Sequence, residues 1–169
     1  MILGGVAVIA GGVARYTVDI DATVWAPGVG PQQLFETLRR NAIVPRIADA
    51  AGFAQRHQVL WLHHEPSRVP LDVSLAWLPF EEEAVRRAQA CDYAGVPIRV
   101  PRPDDLICYK LVAARPRDLD DAEKLLLLYG ATLDLPRLRR LIREFSEVLE
   151  DRARIEALER LLRRTDLAS

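Results

Sequence analysis

Asp19 and Asp21 stand one residue apart in the run Arg15-Tyr16-Thr17-Val18-Asp19-Ile20-Asp21. In an extended strand, residues i and i+2 share a face, so this spacing aims both carboxylates the same way. Like charges that close repel unless something positive lies between them. Mg²⁺ (or Mn²⁺) is the natural partner, because it takes one or two carboxylates and completes its shell with substrate phosphates and water. Gly4-Gly5 lies upstream of the pair. Lacking a Cβ, the backbone there can approach a phosphate closely, at the start of a helix. Asp72, in Leu71-Asp72-Val73, adds a third carboxylate if its strand neighbours the first. Three carboxylates on one sheet face are what two-metal phosphoryl or nucleotidyl transfer needs: two hold the metals and the third helps to activate the attacking hydroxyl.

A second group follows Lys110, in Arg115-Pro116-Arg117-Asp118-Leu119-Asp120-Asp121. Lys110 can meet a phosphate as a point charge. All but two of the 23 basic residues are arginines, so the compact ammonium at this position stands out. Asp118 and Asp120 open a helix and are expected to cap it and complement its dipole. Asp121 is open to either a cap or a site role.

The elements that must position these groups are read from hydrophobic period and turn residues. Ile2-Leu3 is expected as a buried strand that turns at Gly4-Gly5 into a helix over 6–10. Tyr16 to Trp25 alternates as a strand. Pro27 to Pro31 is a loop, and Gln32 to Asn41 a helix with Leu34, Phe35 and Leu38 inward. Ile47 to Ala54 reads as a short helix. Val59 to His63 and Leu71 to Trp77 read as strands joined by a turn at 64–67. Phe80 to Ala90 reads as a helix and Tyr93 to Val100 as a final strand. Beyond Pro103 the chain is helical, with Asp104-Asp105 capping a helix to about Arg115, a break at Pro116, a second helix to Tyr129, another from Leu135-Pro136, and a last one over 151–164. This is an α+β pattern: a small mixed β-sheet with helices packed on it, as a domain over 1–133, and a C-terminal helical extension over 134–169. In that extension Leu138, Leu141, Ile142, Phe145, Val148 and Leu149 recur at helical spacing, as a core face or a partner interface. Arg137, Arg139, Arg140 and Arg143 interleave with Glu144, Glu147, Glu150 and Asp151, which predicts a solvated, salt-bridged face.

Composition narrows the function. A formal charge of −1 provides no global basic field for nucleic acid. Cys91 and Cys108 form no CxxC motif, which fits a reduced, cytoplasmic protein. His57, His63 and His64 lack the partners of a zinc site. The apolar start, Met1 to Ala14, has no positive n-region and is too short to span a bilayer, so neither a signal peptide nor a membrane anchor is expected.

The linked series Gly4-Gly5, Arg15 to Asp21, Leu71-Asp72-Val73, Asp104-Asp105-Leu106 with Lys110, and Arg115 to Asp121 resembles the nucleotidyltransferase superfamily, with AbiEii-like proteins of bacterial abortive-infection and toxin–antitoxin systems as the nearest branch. The resemblance covers residues 2 to about 128. It implies a polymerase-beta-like fold that binds a nucleoside triphosphate with Mg²⁺. It also implies Asp19, Asp21 and Asp72 as metal ligands, Gly4 and Gly5 as the phosphate cradle, Lys110 on the triphosphate and Asp121 as its support. Arg15 and Thr17 match family positions at the nucleotide site. The chain opens at a strand that many members precede with a helix, and it carries Gly-Gly where many active members carry Gly-Ser.

The function expected on this basis is transfer of a nucleotidyl group to a hydroxyl of RNA (tRNA) or of a protein, in a toxin–antitoxin or phage-defence setting. The alternative is a catalytically weak binding module, an antitoxin that holds a partner protein. A nucleotide sensor that binds without transfer is the third reading. A cognate toxin or antitoxin and a homo-oligomer are both compatible with the sequence.

Overall fold

A computed structural model describes residues 1–168. The chain divides into two compact units, one of residues 1–10 and 14–101, the other of residues 11–13 and the described residues from 102 onward. Residue 134, where a helical extension was expected to begin, lies within the second.

The first unit is built on a four-stranded mixed sheet in the order β1-β4-β3-β2. Its strands are β1 (Ile20–Val24), β2 (Ile43–Pro45), β3 (Val59–His64) and β4 (Pro70–Leu75). β1 runs parallel to β4, and the other two pairings are antiparallel. Alternation divides the faces. Leu60, Leu62 and Val73 point into a core with Ala54, against which Ala22, Val24, Leu71 and Leu75 pack. Helix α2 (Pro31–Arg39) lays Leu34, Phe35 and Leu38 on that core, as its spacing predicts. Helix α3 (Ala50–His57) begins where the Asp49 carboxylate accepts the Gly52 N–H at 3.1 Å and ends at Gln58 in the left-handed region.

The N-terminal segment bridges antiparallel to β1 at Ile2 and Ala22, and the Leu3 N–H donates to the Asp21 carbonyl at 2.8 Å. It leads into α1 (Gly4–Ala10), whose Ala7 and Val8 are buried. Helix α4 (Pro79–Arg87) starts with the Glu81 side chain accepting the Leu78 N–H at 3.1 Å.

Three expectations are corrected here. The first strand starts at Ile20 rather than Tyr16, so Asp19 sits in the bend that precedes it. A short strand, β2, occupies a stretch for which no element was expected. The single late strand is a hairpin, β5 (Gln89–Tyr93) and β6 (Val96–Val100), forming its own two-stranded sheet. Ala94 and Gly95 both have positive φ, 53° and 82°, the two-residue turn that matches strand twist.

The second unit contains α5 (Pro103–Ala113), α6 (Pro116–Tyr129), a 3₁₀ turn (Gly130–Thr132), α7 (Leu135–Val148) and α8 (Ala153–Arg164). Leu111, Leu125, Leu138, Ile142 and Leu162 are wholly buried. Most of the apolar spacing in α7 is thus core, whereas Val148 and Leu149 at its end are exposed. No helix among the described residues is long and apolar enough to cross a membrane.

Two buried positions in the first unit should respond to substitution with opposite sign. Leu62 is wholly buried, and Leu62→Ala should cost about 2–5 kcal/mol. Thr23 is wholly buried too, with a hydroxyl that has no hydrogen-bond partner among the described residues, and Thr23→Val should raise stability by about 1 kcal/mol. Urea denaturation of both variants reads the two signs.

Candidate functional site

The two early glycines are what let the acidic residues close on α1. A Cβ at Gly4 would fall 1.7 Å from the Asp21 Oδ2, and Gly4 has φ +56°. A Cβ at Gly5 would fall 2.5 Å from the Thr17 Oγ1. Thr17 in turn donates its hydroxyl to the Asp19 Oδ1 at 2.7 Å. Each glycine therefore admits one acidic position to the start of the helix, Asp21 directly and Asp19 through Thr17.

Asp21 is paired in register with Asp72 across the parallel β1 and β4. Such neighbours share a face about 4.8 Å apart. Burial pushes the Asp72 carboxyl above its ordinary range, Arg46 pulls it down, and the charge of Asp19 pushes it up. Arg46 is bonded to Asp72 and is the cation that partners it.

The same register continues. Trp61 on β3 lies opposite Asp72, and the Arg46 N–H donates to the Trp61 carbonyl at 2.9 Å. One row across the sheet thus reads Asp21, Asp72, Trp61, Arg46. The Arg46 guanidinium carbon lies 6.0 Å from the centre of the Trp61 ring, and Phe53 packs on that ring at 4.3 Å between centres. Neither Arg46 nor Trp61 was among the candidates from sequence. The available signal was the alternation of β3, in which Trp61 occupies the face opposite Leu60 and Leu62.

Gly4, Gly5, Arg15, Thr17, Asp19, Asp21 and Asp72 all belong to the first unit. Among the described residues no group of three or more His, Cys, Asp or Glu side chains is gathered closely enough to hold a metal ion. The donors still fit a hard divalent ion. Mg²⁺ takes one or two carboxylates and keeps several positions for water and phosphate, so the adjacent Asp21 and Asp72 carboxylates are of the donor type it uses.

Lys110 and Asp121 lie in the second unit and are bonded to each other. The Lys110 Nζ is 2.9 Å from both the Asp118 Oδ1 and the Asp121 Oδ2, and all three residues are buried. The exposed Arg115 reaches the other Asp118 oxygen at 2.6 Å. This corrects the cap assignment. Asp118 serves the lysine, Asp120 pairs with Lys124 at 2.7 Å, and among the described residues no side chain caps the start of α6. Burial raises the Asp118 carboxyl, but the hydrogen bonds from Lys110 and Arg115 outweigh it and hold it below the usual range.

Asp104 and Asp105 are not caps either. Both are buried and accept from the Arg137 Nη1, at 3.0 and 2.7 Å. Arg137, expected on a solvated face, is buried with them. Cys108 is buried in the same unit. Burial, and then the charge of Asp105, drive its thiol far above its ordinary value, which marks it as unreactive.

The model of one protein family, described as a nucleotidyltransferase of unknown function (DUF6036), matches residues 1–165. The chain belongs to this family. Among curated proteins, none matches. The family match spans both units, so the glycines, the three carboxylates and the Lys110 group all fall inside it.

Lys110→Met should lower stability by about 3–5 kcal/mol, because it leaves buried carboxylates without their ammonium. Asp118→Asn should cost less, about 1.5–3 kcal/mol at neutral pH. A carboxyl held below its ordinary value adds stability above about pH 4 and loses it as pH falls through the native value. The gap between wild type and Asp118→Asn should therefore narrow below about pH 4, in urea titrations run at successive pH values.

Proposed function

We propose that this chain is a metal-dependent nucleotidyltransferase. The observation that carries the reading is the Asp21–Asp72 register on adjacent parallel strands, with Gly4 in contact range of Asp21. Two carboxylates at strand spacing on a partly exposed face are unfavourable alone and favourable around a divalent ion.

Asp19, Asp21 and Asp72 would hold Mg²⁺ or Mn²⁺. The bound ion would supply neutralisation of the triphosphate and of the charge that builds on the reacting phosphoryl oxygens. Gly4 and Gly5 take the phosphates at the start of α1, and Arg15 and Thr17 line the nucleotide side. In the reaction the acceptor hydroxyl oxygen bonds to the α-phosphorus. The bond from that phosphorus to the oxygen bridging it to the β-phosphorus breaks, and pyrophosphate leaves. Asp72 would help to take the hydroxyl proton. Lys110 and Asp121, buried and bonded to each other in the other unit, hold α5 to α6. The work is positioning and electrostatics more than covalent chemistry. The acceptor is a hydroxyl of RNA (tRNA) or of a protein, and the AbiEii-like resemblance supports a toxin–antitoxin or phage-defence setting in the cytoplasm.

The second reading is a catalytically weak module that holds a cognate protein. Val148 and Leu149, 79% and 46% exposed at the end of α7, favour it. Pyrophosphate release separates the two.

Calorimetric titration of each nucleoside triphosphate with Mg²⁺ tests the site. Wild type should bind in a metal-dependent way, and the Asp19→Ala, Asp21→Ala double variant should not, while its circular dichroism stays native. Gly4→Ala should also weaken binding at least tenfold, because the added methyl displaces the Asp21 carboxylate. A double variant that binds like wild type sinks the reading.

A further inference from the structure

The row Asp21, Asp72, Trp61, Arg46 has a direction, and it rests on the reading just proposed. The glycines and α1 lie at the β1 end of the row, and Asp72 stands between that end and β3. In-line displacement brings the nucleophile in from the side opposite the leaving group. With pyrophosphate departing at the α1 end, the attacking hydroxyl must arrive over β3.

What β3 offers there is an aromatic surface flanked by cations. Trp61 is 39% exposed although it lies in the middle of the sheet, with Phe53 packed against it. His63 follows two residues on, so it projects from the same face. Arg68, in the β3–β4 turn, lies 3.4 Å from the His63 Nε2 through its Nη1. The Arg46 guanidinium carbon stands 6.0 Å from the ring centre. A half-exposed indole with arginines beside it is the arrangement that stacks a nucleobase and meets its phosphate.

We propose that Trp61, with Arg46 and Arg68, forms the acceptor subsite. It takes the terminal base of a single-stranded nucleic acid and brings its hydroxyl to Asp72. Trp61 touches the acceptor base. Arg46 is a positioning residue, tying the platform to Asp72 through its ion pair. The overall charge of −1 is no obstacle, since the cations needed are local to this face.

The test uses the full chain and a 5′-labelled single-stranded RNA of about eight nucleotides with a free 3′ hydroxyl, followed by fluorescence anisotropy. Wild type should bind. Trp61→Ala should weaken binding at least tenfold, as loss of one base stack predicts. Trp61→Phe should retain most of it, and it guards against a Trp61→Ala chain that fails to fold. Arg68→Gln should make the salt dependence shallower by about 0.7 in the log–log slope, one phosphate contact on a single strand. Binding of the nucleoside triphosphate with Mg²⁺ should be unchanged in all three. Wild type that ignores the RNA overturns the subsite and leaves a protein hydroxyl as the acceptor. RNA binding equally tight in Trp61→Ala and wild type overturns it as well. The two readings fail separately: loss of triphosphate binding tracks Asp19 and Asp21, and loss of RNA binding tracks Trp61.

Discussion

The constraint on which the first unit depends is the close approach of the α1 start to β1. It exists because residues 4 and 5 carry no side chains. At Gly4 any Cβ would occupy the place of the Asp21 carboxylate, and at Gly5 it would strike the Thr17 hydroxyl that bonds Asp19. A glycine pair in a helical start costs backbone entropy, on the order of 1 kcal/mol per residue relative to alanine. Here the cost secures contact between a helix start and two acidic positions. Glycines in such a place are usually read as making room for phosphate. In this chain they make room for carboxylates first, and any phosphate would meet a surface that already contains them.

Asp72 is managed by partial exposure and by an arginine rather than by deep burial. Asp72 retains 44% of its side-chain exposure and is bonded to Arg46. A pair in that environment is screened by water and contributes little to stability. That is the property a working site requires. A deeply buried, fully satisfied pair would bind its cation too firmly to exchange it. The second unit shows the opposite solution: Lys110 with Asp118 and Asp121, and Arg137 with Asp104 and Asp105, are buried and bonded at 2.7–3.0 Å. Those groups hold α5 to α6 and α5 to α7. Polar contacts of that kind specify which helices meet even where their net energy is small.

Much of this was legible before the fold was known, for local reasons. The core faces of β3 and β4 follow from strict alternation, and α2 follows from Leu34, Phe35 and Leu38 at helical spacing. The glycine pair and the three aspartates stood out by type and interval. What escaped has a common cause. Arg137 pairs with carboxylates 32 and 33 positions away, and no window along the chain contains both partners. Asp118 at a helix start carries the same signature whether it caps the helix or serves a lysine eight residues back. β2 is three residues long, too short for any period to be seen. β5 follows α4 almost without interruption, so its residues read as the helix's last turn until the Ala94-Gly95 turn defines the hairpin.

The row across the sheet is the deepest case of this, because register is not a property of any one strand. Trp61 shares a face with Asp72 only because β3 and β4 pair with those two residues opposite each other. A slip of one residue would move the indole to the core face and bring Leu60 or Leu62 to the open one. The buried leucines that make such a slip costly therefore also fix the chemistry of the exposed face. Leu60 and Leu62 are 1% and 0% exposed, and Val73 lies between Asp72 and Ser74 on the same core face. Hydrophobic burial on one side of the sheet thus dictates the sequence of groups on the other: two carboxylates, an aromatic ring and a guanidinium, in that order. The polar face has no need of strong contacts of its own to stay in line. Its side chains are left able to exchange partners, Arg46 from Asp72 and Asp19 from Thr17, while the backbone beneath them stays fixed.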